Sequence, residues 1–269
     1  MIATTNGTST ISITGFGCHV PERVITNAEL SKMVETSDEW IVERTGIRER
    51  RVAAPDEALS DLCLPAARQA LEHAGVAAKD VDLLIVATVT PDMFFPSTGV
   101  LLADQLDMPD AAAYDLSAGC TGFMYALAQA YGMLAAGLAE RALVVGGDTL
   151  SKIVDWTDRS TCVLFGDGAG AVVLERVDSG GFLAFELGAE GSGGIHLYMP
   201  AGGSREPASA ESVAARDHFD LGEAHGAGAV DRAGHGADVD PHHARDGGRE
   251  PYVGAGGGQR AGVLPRDLA

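Results

Sequence analysis

The chain has 269 residues, 46% of them hydrophobic, with a formal net charge of −19 and a pI of about 4.6. That length allows one large core or two modest domains, and the acidic balance excludes nucleic acid as a partner, because phosphate binding needs a basic face. The four cysteines, Cys18, Cys63, Cys120 and Cys162, show neither CxxC nor zinc spacing, and no basic-then-apolar run opens the chain. Reduced thiols in a cytoplasmic protein are therefore expected.

Residues 1–9 are polar and expected to be loose. Residues 11–17 alternate as a strand. Gly15 and Gly17 suggest a dinucleotide fingerprint, but its third glycine would fall at Val20, and Pro21 forbids a simple helix opening. Thr26 or Asn27 caps a helix to about Val34. Ser37 starts another, with Asp38 and Glu39 in the first turn, where the helix dipole favours acids. Residues 47–52 read as a strand. Ser60 or Asp61 opens a helix to about His73, which Gly75 ends. Residues 82–89 hold an unbroken apolar run, which suits a parallel strand buried on both faces. A helix over residues 98–106, a strand over 111–116 and a long helix with Cys120 in its first turn follow. Strands are expected at 142–147, 168–177 and 181–188. Strands alternating with helices predict an α/β layered domain with a mainly parallel sheet.

Residues 116–139 carry no charge and are long enough to span a bilayer. They also contain Ser117, Thr121 and Gln129, have charged segments close on both sides, and are matched by no second such run. The segment is expected to be a buried helix, with no membrane partner.

The stretch Asp115-Leu116-Ser117-Ala118-Gly119-Cys120-Thr121-Gly122-Phe123 carries the chemistry. Unpaired N–H groups at a helix start favour an anion, and the thiolate is the reactive form of cysteine. Cys120 is therefore a candidate nucleophile; the plainer reading is a small buried apolar residue. Ala118, Gly119 and Gly122 leave room for a substrate and for close helix packing. Trp40 and Arg44 are four apart and share a helix face, where stacking and cation–π contact suit a nucleobase; alternatively they are a surface tryptophan and an ion-paired arginine. Arg44, Arg48, Arg50 and Arg51 form the only dense basic cluster, which is either an anion site or a solvated face paired with Glu43 and Glu49. Gly166-Asp167-Gly168-Ala169-Gly170 lacks a P-loop's Lys-Ser/Thr ending and precedes a strand, so it reads as a tight strand start against the Cys120 region. Asp238, Asp240, His242 and His243 lie in a glycine-rich tail without a scaffold, and no metal site is expected there.

The Cys120 stretch resembles the active-site segment of the thiolase-superfamily condensing enzymes, most closely the β-ketoacyl-acyl carrier protein synthase III family. Four further blocks resemble the same family in order and spacing: Thr36-Ser37-Asp38-Glu39-Trp40-Ile41, Arg44-Thr45-Gly46-Ile47-Arg48-Glu49-Arg50, Asp155-Trp156-Thr157-Asp158-Arg159 and Phe165-Gly166-Asp167-Gly168-Ala169-Gly170-Ala171. The resemblance runs from about residue 10 to residue 219. It implies a thiolase-like fold of two halves stacked as five layers, with the first half at residues 1–178 and the start of the second at 179–219. It implies that Cys120 attacks an acyl-CoA thioester and that malonyl-acyl carrier protein, on losing carbon dioxide, takes the acyl group, so that acyl-CoA is a substrate and no cofactor is needed. It implies CoA contacts from Thr36, Trp40, Arg44 and Arg159, with Arg44 alone of the basic cluster facing phosphate. It further implies an acyl pocket of Phe95, Leu150, Phe165 and Leu197, with Phe95 reaching across a homodimer interface.

The tail reads differently. From residue 220 on there is no Ile, Lys, Asn, Thr or Ser, and such a segment is expected to be disordered. The family's His-Gln-Ala-Asn and Gly-Asn-Thr-Ser segments, which supply a catalytic histidine and asparagine, do not occur; Asn6 and Asn27 are the only asparagines. The break in composition predicts a shifted reading frame starting near Phe219. Two functions follow: an acyltransferase working through acyl-Cys120, or an incomplete remnant limited to acyl or CoA binding or to dimerisation.

Overall fold

The computed structural model describes residues 10–215 and 217. The expected tail and its candidate metal-ligating residues lie outside the described residues, as do residues 1–9.

The chain opens with strand β1, Thr10–His19, and a short strand β2, Arg23–Thr26. Helix α1, Asn27–Leu30, is capped by the Thr26 hydroxyl, which accepts from Glu29 N; it ends four residues earlier than expected, its last turn tightening through Met33 N to Leu30 O. Helix α2, Asp38–Thr45, is capped by Ser37 and closed by Gly46 at φ +73°, a backbone region that disfavours side chains. Strand β3, Glu49–Val52, pairs antiparallel with β2. Helix α3, Leu59–Ala74, ends at Gly75. Strand β4, Leu83–Ala87, helix α4, Thr98–Gln105, and strand β5, Ala112–Leu116, follow. A 3₁₀ turn, Gly119–Thr121, leads into helix α5, Gly122–Ala135. Strand β6, Arg141–Thr149, the short helix α6, Arg159–Cys162, strand β7, Asp167–Val177, and helix α7, Ala210–Ala214, complete the elements.

Five strands form one sheet in the order β1-β7-β6-β4-β5. β4 runs parallel to both β5 and β6, whereas β7 runs antiparallel to both β6 and β1. The sheet is therefore mixed, not mainly parallel. β6 and β7 follow one another among the strands, and only a 3₁₀ turn, Leu150–Lys152, and the short α6 lie between them, so no long crossover helix intervenes.

β4 is buried along its whole length. Its residues divide by the pleat: Leu84 and Val86 join the core under α3 and α4, while Leu83, Ile85 and Ala87 join the core under α5. α3 lies so close to β1 that a Cβ on Gly15 or Gly17 would stand 2.2 Å from the carbonyl oxygen of Ala70 or Ala66. Those two glycines serve helix-on-strand packing, not a dinucleotide.

Two expectations are corrected on the Cys120 side of the sheet. The uncharged run over residues 116–139 is split: Leu116 ends a strand, and glycines at φ +55° (Gly119) and φ +74° (Gly137) bound a helix of 14 residues. That helix buries Ala126, Leu127, Ala130 and Leu134 on the sheet but leaves Met124 51% exposed, so it is buried on one side only. Among the described residues, no helix is long and apolar enough to cross a membrane. Residues 181–188 form no strand, although Gly181 passes close to the backbone of Ile11 in β1. Phe182 and Phe185 instead pack on Tyr131 of α5, at centroid distances of 5.8 and 5.4 Å.

Candidate active site

Cys120 sits in the 3₁₀ turn between β5 and α5, two residues before the start of the helix whose first turn was expected to carry it, and it is exposed. The turn is built by small residues. Gly119 takes the left-handed φ of +55°, which turns the chain out of β5. The Thr121 hydroxyl donates to Ala118 O at 2.9 Å. Gly122 is buried, and a Cβ there would be in ordinary contact with Ala87 of β4 at 3.5 Å. Phe123 seats on Gly146 of β6, where a Cβ would come within 2.8 Å of its ring. α5 is thus pinned to the sheet at its first turn, and its N-terminal end is aimed past Cys120.

The stretch from Gly166 does start a strand tightly, but against different neighbours from those expected. A Cβ at Gly166 would meet Arg51 O at 3.0 Å, and one at Gly168 would meet Val20 at 3.3 Å. Asp167 is buried and accepts from Ala53 N, Ser151 N and the Ser151 hydroxyl at 2.7, 2.8 and 2.5 Å. The sheet order explains this, since β5, which leads to Cys120, lies at the edge three places from β7.

Three of the four residues expected at CoA converge. The guanidinium carbons of Arg44 and Arg159 lie over the Trp40 ring at 4.5 and 4.7 Å from its centre. Arg44 comes from the same face of α2, one turn on, and Arg159 from α6, far away in sequence. Arg159 also donates to Glu35 O at 3.0 Å. Thr36, the fourth, follows Glu35; its hydroxyl oxygen is buried and makes no hydrogen bond, an unusual state for a polar atom.

The basic cluster does not form one face. Arg44 is exposed and reaches Glu43 at 4.0 Å. Arg51 donates to Pro21 O. Arg50 is buried among Ile25, Asn27 and Val163 and faces no solvent-borne anion; burial lowers its pKa, partly offset by the neighbouring Cys162. The sequence carried a signal for this: in Glu49-Arg50-Arg51-Val52, a strand's alternation puts Arg50 on the same face as Val52.

The four residues expected at the acyl pocket differ in their surroundings. Phe165 packs into the apolar cluster of Ile25, Leu30, Ile41 and Val163, which Trp40 and Trp156 also join. Leu150 is half-buried in a 3₁₀ turn after β6. Leu197 is 50% and Phe95 89% exposed. Among the described residues no group of three or more His, Cys, Asp or Glu side chains is placed to hold a metal.

Two partly buried carboxylates, to which the sequence reading gave no role, brace the surroundings. Asp148 Oδ1 accepts from the Thr88 and Thr90 hydroxyls and from Val89 N, and Asp115 accepts from Thr98 N and Gly99 N at the start of α4. They hold the loop that carries Phe95 between β4, β5 and β6.

A family profile described as 3-Oxoacyl-[acyl-carrier-protein (ACP)] synthase III matches residues 114–191. A relative named beta-ketoacyl-[acyl-carrier-protein] synthase III from Desulfitobacterium hafniense (strain DSM 10664 / DCB-2) is 54% identical over 209 residues, 77% of this chain and 63% of its own length. A crystal structure of 3-oxoacyl-(acyl carrier protein) synthase III from Pseudomonas aeruginosa PAO1 is 40% identical, with a TM-score of 0.71 over 80% of this chain and 65% of that one. Another 3-oxoacyl-(acyl-carrier-protein) synthase III structure is 35% identical, with a TM-score of 0.71 over 79% and 67%. The chain spans somewhat less than two thirds of the length of the curated relatives it matches.

Proposed function

The chain belongs to the 3-oxoacyl-(acyl-carrier-protein) synthase III family, and we propose that it acts at the start of fatty acid synthesis by moving an acyl group from acyl-CoA, through Cys120, to malonyl-acyl carrier protein. In this reading the Cys120 sulfur attacks the thioester carbonyl, the bond to the CoA sulfur breaks, and CoA leaves with a proton. The backbone N–H of Cys120 contributes to the site of the developing oxyanion. Malonyl-acyl carrier protein then loses carbon dioxide, its carbanion attacks the acyl carbon, and the Cys120 thiolate is released as the β-ketoacyl product forms. No cofactor takes part.

The observation that carries the reading is the meeting of Arg44 and Arg159 on the Trp40 ring. A flat aromatic with cations over it suits an adenine and its phosphates. The unbonded Thr36 hydroxyl adds a polar group that a ligand would satisfy. We further propose that the chain works in the cytoplasm as a homodimer, and that Leu150, Phe165 and Leu197 line the acyl pocket while Phe95, 89% exposed, enters the partner copy's pocket.

A second reading, in which the chain stops at the acyl-enzyme, is favoured by one observation. Asn27, the only asparagine among the described residues, is buried and bonded to Arg50, Asp38 and Ile47, so it is not available to hold an enolate. Incubation with radiolabelled acetyl-CoA separates the possibilities. Label that depends on Cys120 is expected, with none on Cys120→Ala; absence of such label refutes acyl transfer. Malonyl-acyl carrier protein added next discharges the label as β-ketoacyl product in the first reading and leaves it on the protein in the second.

A further inference from the structure

Arg50 is 5% exposed and ends in three hydrogen bonds: Nη1 to Ile25 O at 3.1 Å, and Nη2 to Asn27 Oδ1 at 2.8 Å and to Val163 O at 3.2 Å. Asn27 is 1% exposed and passes the connection on, its Nδ2 donating to Asp38 Oδ1 and to Ile47 O, both at 2.8 Å. Asp38 is the first residue of α2, which carries Trp40 and Arg44. Val163 is the residue on which α6, the helix of Arg159, ends. One guanidinium is therefore bonded directly to the end of one arm of the Trp40–Arg159 stack and, through a single amide, to the beginning of the other. The chain of groups is also polarised, from the Arg50 cation through the Asn27 amide to the Asp38 carboxylate.

We propose that Arg50, acting through Asn27, is the positioning residue that sets the spacing of Trp40 against Arg159 for a CoA nucleotide; this rests on reading that stack as the CoA site. Arg50 touches no ligand in this scheme. The planar fork of arginine is what the place requires: it reaches three acceptors in fixed directions, which the single ammonium of lysine cannot do. Asn27 is required for its two faces, an oxygen toward Arg50 and an N–H toward Asp38.

The test uses the full chain labelled with 5-fluorotryptophan. The chain has two tryptophans, and Trp40→Phe assigns their fluorine signals. Asn27→Asp keeps an acceptor for Arg50 but sets two carboxylates against each other at α2. It should shift the Trp40 signal, leave that of Trp156 nearly in place, and weaken CoA binding by calorimetry about five-fold, a coupling ordinary for one hydrogen-bond network. The double variant Asn27→Asp/Asp38→Asn restores a donor–acceptor pair with its direction reversed, and should recover most of both effects. Asp38→Ala, at an exposed residue, should move the same two readouts without unfolding the core, and stands in should Asn27→Asp fail to fold. Arg48→Ala, in the same basic run and joined to Asn27 only through its backbone carbonyl, which the substitution keeps, should move neither.

Unchanged Trp40 signals and CoA affinity in Asn27→Asp and Asp38→Ala would overturn the proposal while leaving the CoA site standing. A shifted Trp40 signal in a protein whose unsubstituted form binds no CoA would refute the CoA site and retain Arg50 as the brace of the stack.

Discussion

At the scale of single residues, the clearest lesson is Arg50. It stands in a run of arginines that reads as a basic face, yet its side chain is buried, because residue identity suggested one environment and strand alternation dictated another. The meeting of Trp40 and Arg159 was legible because short motifs carry both; the bonds of Asn27, Asp148 and Asp167 were not, since their partners lie tens of residues away. The thiols give a test at this scale. Cys162 is fully buried, and burial first, then Asp158, pushes its thiol up to about 11 from an ordinary 9.0, with Arg50 pulling the other way. Cys63 is also raised, again by burial first and then by Asp92, Asp115 and Asp148. Each folded thiol keeps its proton where the unfolded one would lose it, so its stabilisation is complete below the unfolded value and is lost as the pH climbs. The unfolding free energy from urea titrations should hold steady up to about pH 8.5 and then fall between about 9 and 11, by up to about 1.4 kcal/mol per pH unit for each such thiol. Cys162→Ala should flatten part of that fall. Near neutral pH, iodoacetamide and mass spectrometry should find Cys18 and Cys120, both exposed, modified long before Cys63 and Cys162.

At the scale of elements, most helices and strands were readable from caps and periodicity: Ser37 opens α2, Gly75 closes α3, and the apolar run of β4 is buried on both faces. The readings that failed share a cause. An extended apolar segment becomes a strand only when a neighbour accepts its backbone, and residues 181–188 anchor through aromatic side chains instead. The direction of β7 was equally hidden, because antiparallel pairing depends on how the chain returns and not on its pattern. The sharpest prediction here concerns the contact of α3 with β1. Gly17→Ala would place a methyl 2.2 Å from Ala66 O, and separation of a helix from its sheet is expected to destabilise the protein by roughly 2–4 kcal/mol, read from urea unfolding. Gly46→Ala, where the added carbon meets nothing, should cost only the strain of a positive φ, about 1 kcal/mol.

At the scale of the whole molecule, the family and the α/β class followed from motifs, while the path between neighbouring strands required three dimensions. Phe94 and Phe95 are each 89% exposed and consecutive, and Met93 beside them is 47% exposed. An apolar tip of that kind is a poor surface for water and a good one for a partner copy. Sedimentation should show a dimer for the native chain and a shift toward monomer for Phe94→Ser/Phe95→Ser, with acyl-chain selectivity altered in the same variant. The indole of Trp40 has a different consequence. Since cationic side chains already cover it, a purine that docks there evicts a guanidinium, and little ordered water is shed from the ring. Docking should therefore show a heat-capacity change well short of that for covering a bare indole, and most of its selectivity should reside in the phosphates, fading as ionic strength climbs.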